Sequence, residues 1–248
     1  MAGEKYLIFN ADDFGQSPGV NRGIIQAHER RIVTSTSLMT RWLAVEEAAL
    51  YAKEHRELSI GLHLDLGEWV YRAGAWEPLY TVVPLEDKSA VEREIVRQLD
   101  TFRRLIGRDP IHINSHQHVH MREPVRSVAL QLCESLGVPL RNLCPEVHYL
   151  GQFYGQTTEG LPLPAQISLE HLIDMLSTLP AGLSVIVCHP GDDVGDLNTM
   201  YRVERLEELR VLCDPRLKAA ITAFGIRLCS WDDWLYLKKN HSGRRARG

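Results

Sequence analysis

The sequence predicts an α/β fold in one domain, with about seven strand–helix repeats whose parallel strands are joined by right-handed crossovers. Three observations carry this expectation. Short apolar runs rich in β-forming residues alternate with segments of helical hydrophobic spacing along the chain. The length of 248 residues suits one α/β barrel or one doubly wound sheet. No repeat, low-complexity block or Pro-rich linker interrupts it. A single domain over residues 1–240 is therefore expected, followed over 241–248 by a basic tail carrying Arg244, Arg245 and Arg247, a solvated terminus.

The elements follow in order. Lys5–Ala11 (KYLIFNA) is the first strand, and Ser17 with Pro18 supplies an N-cap and an N1 proline for an amphipathic helix through Arg30. Ser35–Met39 is the second strand, before a helix over Ala44–His55. The third, Leu58–Leu66, runs into a stretch from Gly67 to Pro84 that shows no regular period. Val91, Ile95, Leu99, Phe102 and Ile106 then recur at helical spacing, with Gly107 as the stop. Ile111–Ser115 is the fourth strand, and a histidine cluster leads from it into a helix bearing Val125, Val128, Ala129, Leu132 and Leu136, closed by Gly137. A short fifth strand near Leu140 precedes a Gly- and Pro-punctuated loop and a helix capped at Ser168. Leu183–Cys188 is the sixth strand; helical segments run on to Phe224, and Ile226–Cys229 is the last strand, before a helix starting at Trp231.

Composition narrows the function classes. A formal charge of −4 argues against a nucleic-acid binder that relies on a basic surface. The five cysteines (Cys133, Cys144, Cys188, Cys213 and Cys229) are widely spaced without a CxxC pair, which disfavours a disulfide framework or a cysteine zinc site and favours a reducing, cytoplasmic compartment. No apolar run approaches the roughly 18 residues of a membrane span, and Met1 leads into a strand-like segment without a signal-peptide core.

Whether the sheet is doubly wound or closed, its ligand lies at the carboxyl ends of the strands. Those ends carry Asn10-Ala11-Asp12-Asp13-Phe14-Gly15, then His63 and Asp65, then His112 to His120, and finally His189-Pro190-Gly191-Asp192-Asp193. Carboxylates beside imidazoles are the ingredients of a divalent-metal site. An acidic pair before a helix can also simply complement its N-terminus, and a solitary strand histidine is commonly a hydrogen-bonded core residue. Four histidines between His112 and His120 are costlier to bury without a partner, yet alternation along the strand allows at most one or two to be ligands.

The strings NADDFG (Asn10–Gly15), TSTSLM (Thr34–Met39), IGLH (Ile60–His63), HINSHQHVHM (His112–Met121) and CHPG (Cys188–Gly191) resemble those of the YdjC-like carbohydrate deacetylases, also called the ChbG/HpnK family. The resemblance spans almost the whole chain with its motifs in order. It implies an irregular TIM-like (β/α) barrel, a homodimer, and a metal-dependent amidohydrolase acting on N-acetylated sugars. It assigns the metal to Asp13, His63 and His116 and makes Asp12 the base; magnesium is the family's usual metal, while zinc or manganese suits two imidazoles better. The sequence departs from the family pattern at Asn114, where many relatives carry aspartate, which touches a hydrogen bond to the histidine cluster but not the ligands. Leu143–Gln166 matches no motif of the family.

The chemistry fits these residues. Amide hydrolysis at neutral pH needs an activated water, stabilisation of the tetrahedral oxyanion, and an acid for the departing amine. His189 is the candidate acid, by analogy with other metal-dependent sugar deacetylases. Adjacent strand residues point to opposite sides, so Asp12 and Asp13 can serve one site only if the chain turns, which Phe14-Gly15 permits. Trp69 and Trp76, in the aromatic stretch after the third strand, and Asp65 are the candidate sugar contacts, whereas Trp231 and Trp234 read as core. Two alternatives compete: a phosphoesterase with paired metals, distinguished by metal count, and a sugar-sensing protein without turnover, distinguished by acetate release.

Overall fold

The computed structural model describes residues 3–236, so the basic tail expected over 241–248 lies outside the described residues. The chain forms a parallel sheet curled into a half-barrel with helices packed around it, as in an irregular TIM-like barrel. Its elements are β1 (Lys5–Phe14), α1 (Pro18–Glu29), β2 (Ser35–Leu38), α2 (Val45–Glu54), β3 (Ser59–Leu64), β4 (Gly67–Arg72), β5 (Ala75–Thr81) and α3 (Lys88–Ile106). There follow β6 (Ile113–Ser115), α4 (Val125–Leu136), β7 (Val147–Leu150), α5 (Leu169–Ser177), β8 (Gly182–Cys188), α6 (Val203–Leu212), α7 (Pro215–Ala223) and β9 (Ile226–Leu228). The spatial order of the main sheet is β6-β3-β2-β1-β8-β7. Along one edge of β1 two strands share the length, β9 against Lys5–Leu7 and β2 against Asn10–Phe14. Strand β1, the centre of this arrangement, is almost wholly buried.

Local chemistry accounts for most boundaries. Ser17 caps α1 by accepting from the Val20 amide at 3.2 Å, and Ser168 caps α5 through the His171 amide at 3.1 Å. Gly107 and Gly137 end α3 and α4 in the left-handed conformation. One expectation is corrected after β3. The stretch read as irregular is the antiparallel hairpin β4–β5, closed by Ala73 and Gly74, both at positive φ. A second correction concerns the strand near Leu140, which makes a single bridge to Ile113, while the real strand β7 lies in the segment that matched no motif.

Helices α1, α3, α4 and α5 bury the apolar faces that their spacing indicated, against strand residues such as Phe9, Leu62 and Ile186. A smaller cluster of Tyr6, Ile8, Val185, Trp231 and Trp234 fills the other face of β1 and β8, so both tryptophans are core residues as expected. The five cysteines are free. Among the described residues no helix is long and apolar enough to cross a membrane.

His112, the first of the clustered histidines, belongs to this core. Its ring stacks on Trp231 with centroids 5.5 Å apart, and its Nε2 lies 3.0 Å from Ser37 Oγ. Burial pushes its pKa down to about 3. Gly61 leaves the room: a Cβ there would sit 2.4 Å from the imidazole. Because Trp231 backs the ring, Gly61→Ala is expected to destabilise the fold by roughly 1–3 kcal/mol, the range for overpacking. Urea unfolding checks this, and unchanged stability would show that the ring can move aside.

Candidate active site

The end of β1 holds two adjacent carboxylates on one side because the strand bulges there. Ala11 pairs with Thr36 and Phe14 with Leu38, so Asp12 and Asp13 together face the single residue Ser37. Asp13 takes φ 69°, a left-handed conformation uncommon outside glycine. The turn anticipated at Phe14-Gly15 is thus made at Asp13 itself.

Each carboxylate is buried and neutralised by its own arginine. Asp12 forms a two-pronged pair with Arg141, whose Nη2 donates to Oδ1 at 2.7 Å and whose Nη1 meets Oδ2. Asn10 and Asn114 donate further bonds to Oδ1. Burial works to raise the Asp12 pKa, but the Arg141 charge and hydrogen bonds, with His63 and His189 nearby, together outweigh it and hold the carboxyl well below the usual range. Asp13 Oδ2 accepts from Arg205 Nη2 at 2.6 Å, and the same contest of burial against a buried guanidinium leaves Asp13 ionised.

Arg205 occupies one oxygen of Asp13 and leaves Oδ1 facing two imidazoles. His63 Nε2, from β3, and His116 Nδ1, just after β6, each lie 3.1 Å from it. One donor atom from each of the three buried residues falls within 4.8 Å of the others, and this is the one such group among the described residues. Asn114 sets the tautomer of His63. Its Nδ2 donates to Ser37 Oγ and Asp12 Oδ1, which turns its Oδ1 to His63 Nδ1 at 2.7 Å. His63 therefore donates from Nδ1 and directs Nε2 at a carboxylate oxygen. In a neutral His63 that would oppose a lone pair to an anion, a conflict that a cation between them removes. Asp13, His63 and His116 thus fit a divalent ion as a candidate metal-binding triad, with Asn114 supplying the supporting bond despite its departure from aspartate.

The remaining predicted residues divide. His189, after β8, places Nε2 3.9 Å from Asp12 Oδ2, while its Nδ1 lies 3.7 Å from the buried Glu208. Trp69 and Trp76, carried by the hairpin, line a cavity of about 600 Å³ whose floor includes Asp12, Asp13, His63 and His116. Asp65 does not reach it. This carboxylate is fully buried beneath the hairpin, where Arg41, Trp42 and the Tyr80 hydroxyl bind it, so it anchors the loops rather than touching a ligand. His118 lies on the cavity wall, and His120 is held by Ser115 Oγ at 2.6 Å and by the Arg141 carbonyl at 3.1 Å. Neither joins the triad.

Sequence reasoning missed both arginines. Arg141 follows directly from Leu140, so the strand-end rule that found the carboxylates could have found it. Arg205 sits on α6, which turns Glu204, Arg205 and Glu208 inward along with its apolar residues, and hydrophobic spacing carries no trace of that. Tyr154, from the segment without a motif, also lines the cavity, its ring centroid 5.5 Å from that of His189.

Fold and site together define an α/β half-barrel protein with a candidate metal centre at its strand ends, under an aromatic-walled cavity. The chain belongs to the YdjC-like family, whose model, described as YdjC-like protein, matches residues 6–223. It is 34% identical over 252 residues to a carbohydrate deacetylase of Geobacillus stearothermophilus, covering 94% of this chain and 99% of that one. A chitooligosaccharide deacetylase of Serratia marcescens is 32% identical over 265 residues, with 93% and 99% covered. A crystal structure from Enterococcus faecalis V583, provisionally named a cellobiose-phosphate cleavage protein, superposes with a TM-score of 0.75 at 28% identity, over 94% of this chain and 99% of that one.

Burial disfavours a charged His116, yet the Asp13 carboxylate beside it prevails and raises its pKa well above the ordinary histidine value. In the metal-free protein His116 therefore holds a proton at neutral pH, and a cation taking its place must expel that proton. Divalent-cation affinity is expected to rise with pH across the neutral range, with proton release on binding. Titration calorimetry in buffers of different ionisation enthalpy measures both; affinity independent of pH would remove His116 from the donor set.

Proposed function

We propose that the protein is a metal-dependent carbohydrate deacetylase, hydrolysing the acetamido group of N-acetylglucosamine-type sugars to acetate and a free amine. The observation that carries this reading is the one Asp13 oxygen left free by Arg205, facing two imidazoles at the floor of a cavity with tryptophans in its wall, in a YdjC-like chain. The names of the two bacterial relatives support it. Magnesium is the first choice of metal, with zinc or manganese as alternatives on the donor set. The same reading takes the protein to be a cytoplasmic homodimer, in keeping with its free cysteines and with the family resemblance. Finding one ligand group among the described residues favours a single ion over the paired metals of a phosphoesterase.

The chain's own groups divide the work. A bound cation would supply Lewis-acid polarisation of the amide oxygen and of the attacking water. Asp12, kept ionised and oriented by Arg141, takes the proton from that water through Oδ2, the oxygen on the His189 side. Arg141 weakens it as a base but ensures that it is charged and fixed. His189 delivers a proton to the departing amine; its Nδ1 lies 3.7 Å from the Glu208 carboxylate, and the Tyr154 ring packs edge-on beside it. Trp69 and Trp76 offer flat apolar faces to sugar rings, binding that can be used to orient the amide.

Acetate release from N-acetylated sugars, with and without added divalent ions, tests the reading directly; no release from any such sugar by metal-loaded protein would refute it. Asp12→Asn preserves shape but not basicity, so turnover is expected to fall roughly 10²- to 10⁴-fold while the ion stays bound. Asp13→Asn is expected to lose the ion itself. Calorimetric metal titration of both variants separates the roles, and near-normal affinity in Asp13→Asn with loss in Asp12→Asn would reverse them.

A further inference from the structure

Glu68 is a buried carboxylate, 2% exposed, on the hairpin strand β4, and nothing in the hydrolytic scheme uses it. Its Oε2 lies 3.5 Å from His116 Nε2, the imidazole nitrogen turned away from Asp13. That nitrogen is buried and has no hydrogen-bond partner. Glu68 stands outside the group of donor atoms formed by Asp13, His63 and His116, so it faces the ligand rather than the ion.

The hairpin is fastened at this point from the other side as well. Gln117, next in sequence to His116, accepts from the Trp69 amide and donates to the Trp69 carbonyl, both at 2.8 Å. Its side chain thus pairs with the backbone of β4 as a neighbouring strand would. Neighbouring residues of β4 therefore meet neighbouring residues of the histidine turn: Glu68 reaches the ring of His116, and Gln117 grips Trp69. The ladder is irregular here, with Glu68 opposite Tyr80 and Trp69 opposite Pro78. The extra residue is Leu79 on β5, and Glu68 and Trp69 both border the cavity.

We propose that Glu68 is a positioning residue for the metal centre. It accepts a hydrogen bond from the His116 Nε2–H when Nδ1 binds the ion, and Gln117 holds the hairpin so that it can do so. A carboxylate accepting the far N–H of a ligating imidazole fixes the ring and raises its basicity; losing it typically costs 10- to 100-fold in metal affinity. It also gives a reason to bury a third carboxylate beside Asp12 and Asp13, which repel it unless an imidazole proton and a cation lie between. The inference rests on the metal reading of the triad and goes beyond it by making the sugar-facing hairpin part of the ion's support.

Manganese(II) binding to the full chain, followed by calorimetry together with the Tm of metal-free and metal-loaded protein, tests the proposal without recourse to activity. Glu68→Gln is expected to weaken manganese affinity about 10- to 100-fold and to shrink the metal-induced rise in Tm by more than any change in the metal-free Tm, where Glu68 faces a protonated His116. Gln117→Ala is expected to lose part of the same affinity. Glu68→Gln with wild-type affinity would overturn the assignment, as would a drop in metal-free Tm that accounts for the whole loss. If Gln117→Ala binds like wild type, the fastening role is overturned. Failure of the unsubstituted protein to bind manganese, magnesium or zinc would sink the metal reading itself, a result distinct from the others.

Discussion

Two adjacent carboxylates buried at the end of one strand set the terms for the rest of this structure. Taking either charge out of water costs several kcal/mol unless a partner meets it with good geometry. Asp12 and Asp13 also repel each other, so one shared cation would not suffice, and the chain provides two. Arg141 arrives from beside β6 and Arg205 from α6, 129 and 192 residues from their partners. Ends of the sequence that share no helix or strand are thereby drawn to one point. His120 and Asn114, polar residues in the interior, make sense in the same light: one holds the backbone of Arg141, and the other bridges Asp12 to His63.

This arrangement also explains how neighbours identical in side chain acquire different work. The bulge at Asp13 breaks the alternation of β1, so that both carboxylates face the cavity with different escorts. Asp12 has both oxygens committed to a guanidinium, an arrangement suited to a group that must stay charged in place. Asp13 commits one oxygen and presents the other to two nitrogens. The histidines are sorted by the same means. His112 is locked against Trp231 and Ser37, His116 turns to Asp13, and left-handed residues at Gln117 and His118 swing the chain away before His120 returns to the interior.

Much of this was legible in the residues. Caps at Ser17 and Ser168, stops at Gly107 and Gly137 and the strand-to-helix alternation located most elements; the rule that ligands gather at strand ends pointed to the clusters, within which the family resemblance singled out Asp12, Asp13, His63 and His116, and analogy with other metal-dependent sugar deacetylases His189. The structure brings those five together at one cavity. What stayed hidden has physical causes. The hairpin turns at Ala73-Gly74, and an alanine at positive φ is no turn signal, unlike asparagine or aspartate before glycine. Strand β7 has four residues and starts two after a proline, too short for a period to emerge. Asp65 looked like a contact because it stands at a strand end, yet Arg41, Trp42 and Tyr80 close over it. Only tertiary contacts, at long range, decide between a rim residue and a buried anchor.

The main path of the sheet ends at β6 on one side and β7 on the other, and among the described residues the Leu140–Ile113 bridge stands between those ends. In a closed barrel, strand number and stagger fix the diameter, and an interior cannot be resized without re-registering every strand. Here part of the cavity wall comes from the stretch that runs from Arg141 through β7 and on toward α5, from which Asn142, Tyr149, Phe153, Tyr154 and Thr157 face the cavity. Catalytic positions and cavity wall meet at Arg141, which holds Asp12 while the adjacent Asn142 lines the cavity. The ladders of β1 and β3 carry Asp12, Asp13 and His63, while beyond the Arg141 anchor the residues from Tyr149 to Thr157 border the binding space without pairing directly to either strand.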